Sequence, residues 1–224
     1  MARLKDEKRR TASSRAWLER QISDPYVARA RREGFRSRAA YKLAEIDDKY
    51  HLIKAGARVV DLGAAPGGWS EIAARRAGAK GRVIALDILD MKPVAGVEFL
   101  KLDFLDETAP ARLKAMLGGN ADVVLSDMAA NATGHRKTDH LRIVALAEAA
   151  AAFAHEVLAG GGHFLCKVLQ GGTESGLLRE LKRDFATVRH VKPPASRTDS
   201  AELYLLAMGF RGDNKATPDE DADS

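Results

Sequence analysis

Residues 58–70 read RVVDLGAAPGGWS, an apolar run that leads into a glycine-rich turn and then into residues with helical spacing. The run Arg58–Leu62 has the length and apolar character of a buried strand. Three of the next six residues, Gly63, Gly67 and Gly68, are glycines, which let the backbone come close to a neighbouring group. A strand, a glycine turn and a helix in this order are typical of nucleotide-binding α/β proteins. The stretch therefore predicts a strand whose carboxyl end carries a ligand site.

The same alternation continues from this stretch towards the carboxyl end of the chain. Short apolar runs predict strands, and the longer stretches between them have the apolar spacing of helices. The predicted strands are Arg58–Leu62, Arg82–Asp87, Val97–Leu102, Asp122–Ser126, Gly162–Lys167, Thr187–Val191 and Glu202–Met208. The predicted helices are Ser37–Tyr50, Gly68–Ala77, Asp106–Leu117, Thr138–Leu158 and Glu174–Asp184. This pattern is typical of a doubly wound α/β domain, whose ligand binds at the carboxyl ends of the strands.

Three kinds of nucleotide site compete for the glycine-rich turn. A Walker A loop requires lysine where this sequence has Trp69, so P-loop chemistry is excluded. A dinucleotide fingerprint requires glycine where Ala65 stands, and that side chain would crowd a pyrophosphate, so a dinucleotide site is disfavoured but stays open. A nucleoside ligand without a pyrophosphate remains, and S-adenosylmethionine is a ligand of this kind. The alternative is a turn whose glycines serve only tight packing and bind no ligand. The acids that would stabilise the ribose and the sulfonium charge of S-adenosylmethionine are Asp61, Asp87, Asp103 and Asp127.

Composition limits the class of protein. The chain has 224 residues, of which 46% are apolar and 30% charged, and this predicts one globular domain. No apolar run reaches the ~18 residues of a membrane helix, and the amino-terminal residues are highly charged, so we expect a soluble, cytoplasmic protein that does not act at a membrane. The single cysteine, Cys166, excludes an internal disulfide, and no paired Cys or His spacing indicates a metal site.

Positive charge is concentrated near the amino terminus. Residues 1–42 hold thirteen Lys and Arg against five Asp and Glu, although the net charge of the whole chain is only +5. A cluster of this kind is expected where a protein contacts phosphates, and a solvated, half-ordered arm is the alternative. The last residues are acidic and too polar to fold. We therefore expect a basic arm over residues 1–36, a domain over residues 37–210 and a disordered tail over residues 211–224. The arginines of the cluster are Arg29, Arg31, Arg32, Arg36 and Arg38.

Six motifs carry a resemblance to a known family: SRAAYKL, VVDLGAAPGGWS, ALDI, SDMAAN, FLCKV and SRTDSAELYLLA. In this order, over about residues 30–210, they resemble the FtsJ family of ribose 2'-O-methyltransferases. The resemblance implies a Rossmann-like class I S-adenosylmethionine-dependent methyltransferase whose sheet has seven strands, mostly parallel, with an antiparallel last strand. It also implies that the substrate is a uridine in the A-loop of 23S ribosomal RNA, in the assembled large subunit. We expect the protein to act as a monomer.

The resemblance also assigns functional residues. The family's catalytic Lys-Asp-Lys-Glu tetrad falls on Lys42, Asp127, Lys167 and Glu202. Its cofactor contacts fall on Gly67, Trp69, Asp87, Asp103 and Asp127, with Asp87 at the ribose and Asp103 near the adenine. The ordinary alternatives are a surface lysine for Lys42, an edge residue for Glu202, a core residue for Trp69, and helix capping or solvation for the charged residues at the strand ends. Asp199 departs from the family pattern, because it places an acid in a segment that is usually neutral or basic.

The implied reaction is an in-line displacement at the sulfonium methyl group, which requires alignment and removal of the hydroxyl proton. Lys167 is the candidate base, provided that it is neutral when it acts. Asp127 and Glu202 would keep it charged, so a cation that stabilises the forming alkoxide is the alternative role. Two other functions stay open: a 2'-O-methyltransferase of transfer RNA or another RNA, and a non-catalytic RNA-binding module of ribosome assembly.

Overall fold

The computed structural model describes residues 24–130, 134–170 and 175–212, which form six helices and seven strands. The helices are α1 (Pro25–Glu33), α2 (Ala39–Tyr50), α3 (Gly68–Ala77), α4 (Ala109–Leu117), α5 (Arg136–Val157) and α6 (Ser175–Asp184). The strands are β1 (Arg58–Leu62), β2 (Arg82–Asp87), β3 (Val97–Lys101), β4 (Ala121–Ser126), β5 (Leu158–Leu169), β6 (Phe185–Val191) and β7 (Glu202–Phe210). None of these helices is long and apolar enough to cross a membrane.

The strands form one sheet in the order β3-β2-β1-β4-β5-β7-β6. The pairs from β3 across to β5 are parallel, whereas β7 is antiparallel to both of its neighbours, β5 and β6. The predicted α/β class, the seven strands and the antiparallel last strand are therefore confirmed. The strand order reverses between β1 and β4, and in open α/β sheets a ligand binds outside the carboxyl ends of the strands at this point.

Helices cover both faces of the sheet. Val59 of β1 packs with α2 and α3 on one face, whereas Val60 and Leu62 pack with α4, α5 and α6 on the other. Burial on both faces explains why apolar residues stand at adjacent positions in β1 and β4, as in Val59–Val60 and Val123–Leu125, since neither face meets water at these positions.

Helix α1 is a feature that the sequence analysis did not predict. Its N-cap is Asp24, whose carboxylate accepts a hydrogen bond from the backbone N–H of Tyr26 and is bound by the guanidinium groups of Arg38 and Arg197. The ring of Tyr26 lies 5.4 Å from that of Tyr41 in α2. Residues 24–33 of the predicted arm thus pack against the domain, whereas residues 1–23 of the arm and 213–224 of the tail lie outside the described residues.

Two predicted boundaries were wrong by three or more residues, each for a local reason. Strand β5 begins at Leu158, not at Gly162, because Leu158 pairs with Ala121 before a bulge returns the strand to register at His163. Helix α4 begins at Ala109, not at Asp106, because the Asp106 carboxylate accepts hydrogen bonds from the backbone and hydroxyl of Thr108 and forms a turn.

Candidate active site

The reversed strand β7 determines which residues meet at the carboxyl edge of the sheet. Because β7 runs antiparallel to β5, its first residue, Glu202, pairs with Leu169 at the end of β5, and Tyr204 pairs with Lys167. Asp127 follows β4, and its N–H donates to the Leu62 carbonyl of β1 at 3.0 Å, which holds it at the same edge. Lys42 reaches this point from α2.

Two ion pairs form there. Lys167 Nζ lies 2.8 Å from Asp127 Oδ1 and donates to the Asp127 backbone carbonyl at 2.8 Å. Lys42 Nζ lies 3.0 Å from Glu202 Oε2, and Lys167 Nζ is 4.0 Å from Glu202 Oε1. Both lysines are buried, with 8% of Lys42 and 7% of Lys167 exposed, so neither is an ordinary surface lysine. The structure brings together all four residues of the predicted tetrad, and their catalytic roles remain predictions.

The ionisation of Glu202 follows from this arrangement. Burial alone would raise the pKa of Glu202, but the ammonium groups of Lys42 and Lys167 lower it below its ordinary value. A charged Glu202 is therefore favoured, and it holds Lys42 in place through the 3.0 Å contact.

Tyr204 is a fifth member of this cluster, and it was not predicted from the sequence. Its side chain is fully buried, its hydroxyl accepts a hydrogen bond from Lys42 Nζ at 3.2 Å, and it donates to Asp127 Oδ1 at 3.0 Å. Burial and the nearby carboxylates of Asp127 and Glu202 raise its pKa well above the ordinary value, so the hydroxyl keeps its proton. The available signal was spacing: Tyr204 is two positions after Glu202 in a strand, which places both on one face.

A cavity of about 350 Å³ opens beside the Lys42–Glu202 pair. Its wall includes Lys42 and Glu202, together with Arg38, Arg197 and Asp199. Arg38 and Arg197 both bind the carboxylate of Asp24, so the polar wall of the cavity is tied to the start of α1. The exposed acid Asp199, which departs from the family pattern, lies in this wall.

The glycine-rich turn lies on the other side of Asp127. Gly63 has φ +77°, and a side chain on it would meet the backbone of Met128 at 2.7 Å. Gly67 has φ +104°, and a side chain on it would meet Met91, Arg36 and Val94 at 3.0–3.1 Å. Both positions therefore require glycine for conformation and for space. The predicted cofactor residue Gly67 thus lies where the turn is pressed against the loop that follows β2.

Two acids beside this turn fit a cationic nucleoside. Asp87 is held by the backbone N–H groups of Ala65 and Leu89, each at 2.8 Å. Asp61 is fully buried; its Oδ2 accepts from the Ser70 hydroxyl at 2.6 Å, and its Oδ1 has no hydrogen-bond partner among the described residues. Burial, with the charges of Asp127 and Asp87, raises the pKa of Asp61 to about 7. A cationic ligand would offset this concentration of negative charge, as S-adenosylmethionine does.

The other two predicted cofactor residues occupy different surroundings. The indole of Trp69 is buried in the core, donates to the Ala39 carbonyl at 2.9 Å and packs 5.4 Å from the ring of Tyr204. Only the backbone of Trp69, at the start of α3, can face a ligand at the turn. Asp103 is exposed after β3, where its carboxylate accepts from the N–H of Leu105 at 2.9 Å. Their contacts with a cofactor remain predictions.

Within residues 24–130, 134–170 and 175–212, no cluster of His, Cys, Asp or Glu that could hold a metal ion is found.

The arginines of the basic cluster separate into two groups. The Arg36 guanidinium donates to the Lys92 carbonyl at 2.9 Å and to the Pro93 carbonyl, and Arg38 binds Asp24 and the Ala195 carbonyl. Arg29, Arg31 and Arg32 are exposed on α1, where Arg29 pairs with Glu33 at 2.8 Å and Arg32 lies 3.9 Å from the same carboxylate. Arg36 and Arg38 are bound to the rest of the domain, so Arg31 and Arg32 on α1 are the better candidates for contact with phosphates.

The fold and the site define a class. A mostly parallel sheet with one reversed strand, a glycine-rich turn at the end of β1 and acids along the same edge are the features of a Rossmann-like methyltransferase. The model of the FtsJ-like methyltransferase family matches residues 35–210. The chain belongs to this family, as its motifs predict, and S-adenosylmethionine is the cofactor that the membership supports.

Individual relatives support the assignment to this family. The chain is 62% identical over 221 residues to the ribosomal RNA large subunit methyltransferase E of Azorhizobium caulinodans, covering 97% of this chain and 92% of the relative. It is 66% identical over 212 residues to the protein of the same name from Afipia carboxidovorans, covering 93% of this chain and 94% of the relative. A crystal structure described as that of a ribosomal RNA methyltransferase from Plasmodium falciparum has a TM-score of 0.71 at 30% identity, covering 80% of this chain and all of that one.

We expect Asp61 to make the ligand-free protein less stable as the pH rises from about 4 to about 7. In the unfolded chain Asp61 ionises near its ordinary pKa of 3.8, whereas the folded protein retains the proton up to about pH 7. The unfolded state therefore binds fewer protons over this interval, and the free energy of unfolding falls as the pH rises through it. Below the interval both states hold the proton, and above it neither does.

Replacement of Asp61 by Asn removes this titration and keeps an oxygen for the Ser70 hydroxyl. Urea unfolding at a series of pH values should show that Asp61→Asn lacks the decline of the wild type. Asp106→Asn, at an exposed turn, should retain it. The same decline in Asp61→Asn as in the wild type would contradict the prediction.

Proposed function

We propose that this protein transfers the methyl group of S-adenosylmethionine to the 2'-oxygen of a uridine in the A-loop of 23S ribosomal RNA. The observation that carries the proposal is the pair of lysine–carboxylate contacts, at 2.8 and 3.0 Å, at the carboxyl edge of the sheet, where Lys42 and Glu202 line the cavity. The relatives named ribosomal RNA large subunit methyltransferase E support the RNA class. We further propose that the protein acts as a cytoplasmic monomer on the assembled large subunit.

The geometry of Lys167 fits the role of base. A neutral lysine has two N–H donors and one lone pair, and Lys167 has two acceptors, Oδ1 and the backbone carbonyl of Asp127, both at 2.8 Å. When both donors are used, the lone pair points in the remaining direction and can take the proton of a ribose hydroxyl. Asp127 thus orients the base, and Lys42 with Glu202, in the wall of the cavity, orients the ribose.

The cofactor supplies an electrophilic methyl group when it is bound. Residues that would hold it are the backbone at Gly63 and Gly67, Asp87 for the ribose hydroxyls and Asp61 for positive charge. Asp127 lies between this turn and Lys167, so one residue links the cofactor side of the site to the base. Positioning of this kind supplies much of the rate acceleration in a displacement reaction.

The RNA would be held through its phosphates. Loop nucleotides can be splayed out so that the 2'-hydroxyl is presented, whereas a duplex hides its bases. Such a substrate needs a basic surface next to a cavity, and α1 provides one, since Asp24 at its start binds Arg38 and Arg197 of the cavity wall. The exposed Arg31 and Arg32 lie on the same short helix.

A methyl-transfer assay tests the proposal directly. Purified protein is incubated with methyl-labelled S-adenosylmethionine and, separately, with large subunits, naked ribosomal RNA and transfer RNA from cells that lack the methyltransferase. Nuclease digestion then locates the label. Label on a 2'-oxygen of the A-loop in the large subunit is the expected result. Label on transfer RNA alone would overturn the substrate, and no label despite cofactor binding would overturn the enzymatic function in favour of an assembly role.

We expect Lys167→Ala to lower the rate of methyl transfer by at least about 100-fold, because a positioned general base contributes about 10²–10⁴ to a rate. Cofactor binding, measured by calorimetry, should change little because Lys167 lies on the far side of Asp127 from the glycine turn. Lys114→Ala is the control, since Lys114 is exposed on α4 and pairs with Glu156 there. Turnover in Lys167→Ala equal to that of the control would exclude Lys167 as the base.

We expect the double variant Arg31→Gln and Arg32→Gln to bind RNA more weakly and with a smaller dependence on salt. Each phosphate contact that is lost should reduce the slope of log K against log salt by about 0.7–0.9. Arg58→Gln with Arg82→Gln is a control of equal charge, because these residues begin β1 and β2 at the opposite edge of the sheet. Filter binding at several salt concentrations measures both. Equal slopes in the two double variants would rule out α1 as the phosphate-binding surface.

A further inference from the structure

The Tyr204 hydroxyl joins the two ion pairs of the site. It accepts a hydrogen bond from Lys42 Nζ at 3.2 Å and donates one to Asp127 Oδ1 at 3.0 Å, the same oxygen that Lys167 contacts at 2.8 Å. A continuous chain of polar contacts therefore runs from Glu202 through Lys42, Tyr204 and Asp127 to Lys167. Tyr204 is its only member that is neither a lysine nor a carboxylate.

We propose that Tyr204 is a positioning residue of the methyl-transfer reaction, which ties Asp127 to Lys42 and thereby limits how strongly Asp127 holds the proton on Lys167. The proposal rests on the proposed function. Several contacts fix the position of this hydroxyl. Tyr204 is fully buried, pairs with Lys167 across β5 and β7, and packs 5.4 Å from Trp69.

The physical basis is competition for one carboxylate oxygen. Asp127 Oδ1 accepts from both the Tyr204 hydroxyl and Lys167 Nζ, so the tyrosine takes up part of the negative charge that would otherwise keep Lys167 protonated. The hydroxyl keeps its proton because burial and the adjacent carboxylates raise the pKa of Tyr204. It therefore remains a donor to Asp127 over the working range of pH.

The other groups that act on this chain come from several elements. They are Lys42 and Arg38 near the start of α2, Asp61 of β1, Asp127 after β4, Lys167 of β5 and Glu202 of β7. We expect these groups to keep their positions when only the Tyr204 hydroxyl is removed, because the ring that packs against Trp69 is unchanged in phenylalanine.

The test is Tyr204→Phe, assayed with the RNA that the wild type methylates. We expect kcat to fall about 10- to 100-fold, the loss that follows when a hydrogen bond to a charged group is removed. KM for RNA and the affinity for S-adenosylmethionine should change little. The acidic limb of the pH–rate profile should move to higher pH, because an unshared Asp127 holds the proton on Lys167 more strongly.

Tyr41→Phe is the matched control, since Tyr41 is also buried on this side of the domain and donates to the carboxylate of Glu33 at 2.7 Å. It should retain the wild-type kcat and pH profile. An unchanged kcat in Tyr204→Phe would overturn the proposal. A lower kcat with the acidic limb of the pH–rate profile in its original place would also overturn it, because that result indicates only a structural role for Tyr204. A wild type that methylates none of the RNAs would instead overturn the proposed function, so the two failures are distinct.

Discussion

Strand β7 runs antiparallel between β5 and β6, and the candidate active site depends on this reversal. A strand rises about 3.4 Å per residue, so in an all-parallel sheet the first residue of a nine-residue strand would lie roughly 25–30 Å from the edge where it is found. Glu202 and Tyr204 would then be remote from Asp127 and Lys167. The reversal brings the first residues of β7 to the edge where β4 and β5 end, and α2 adds Lys42 there.

Charge compensation is the second constraint on the site. The ammonium groups of Lys42 and Lys167 lie among the carboxylates of Glu202 and Asp127, so the charges of this cluster balance. Removal of one partner of a buried pair leaves an uncompensated charge, which is strongly destabilising. On the cofactor side the balance is incomplete, because Asp61 and Asp87 face no lysine or arginine in the contacts described. This difference in charge balance favours a cationic molecule beside Asp61 and Asp87, and a neutral hydroxyl group beside Lys167.

The sequence predicts the local elements well and the long-range contacts only through resemblance. Strands β1 and β2 and helix α3 begin and end where predicted, because apolar runs and glycines mark their ends. Lys42 and Glu202 are 160 positions apart, and no periodicity relates them, so their pairing followed only from the family motifs. Helix α1 was missed although Asp24 and Pro25 are a good helix start. The roles of Arg36 and Tyr204 depend on partners that only the folded chain brings near.

The contact between Trp69 and Tyr204 makes the site continuous with the hydrophobic core. Trp69, Tyr204, Leu43 and Leu206 belong to one buried cluster between α2, α3 and the sheet. Segments of this kind have the highest local stability in a protein and open only in global unfolding, unlike surface loops. The protein therefore presents a rigid template at this edge, and an acceptor nucleotide must adapt to it. The deformation energy of forming the complex then falls on the RNA, so substrates whose target nucleotide is already unstacked would react fastest.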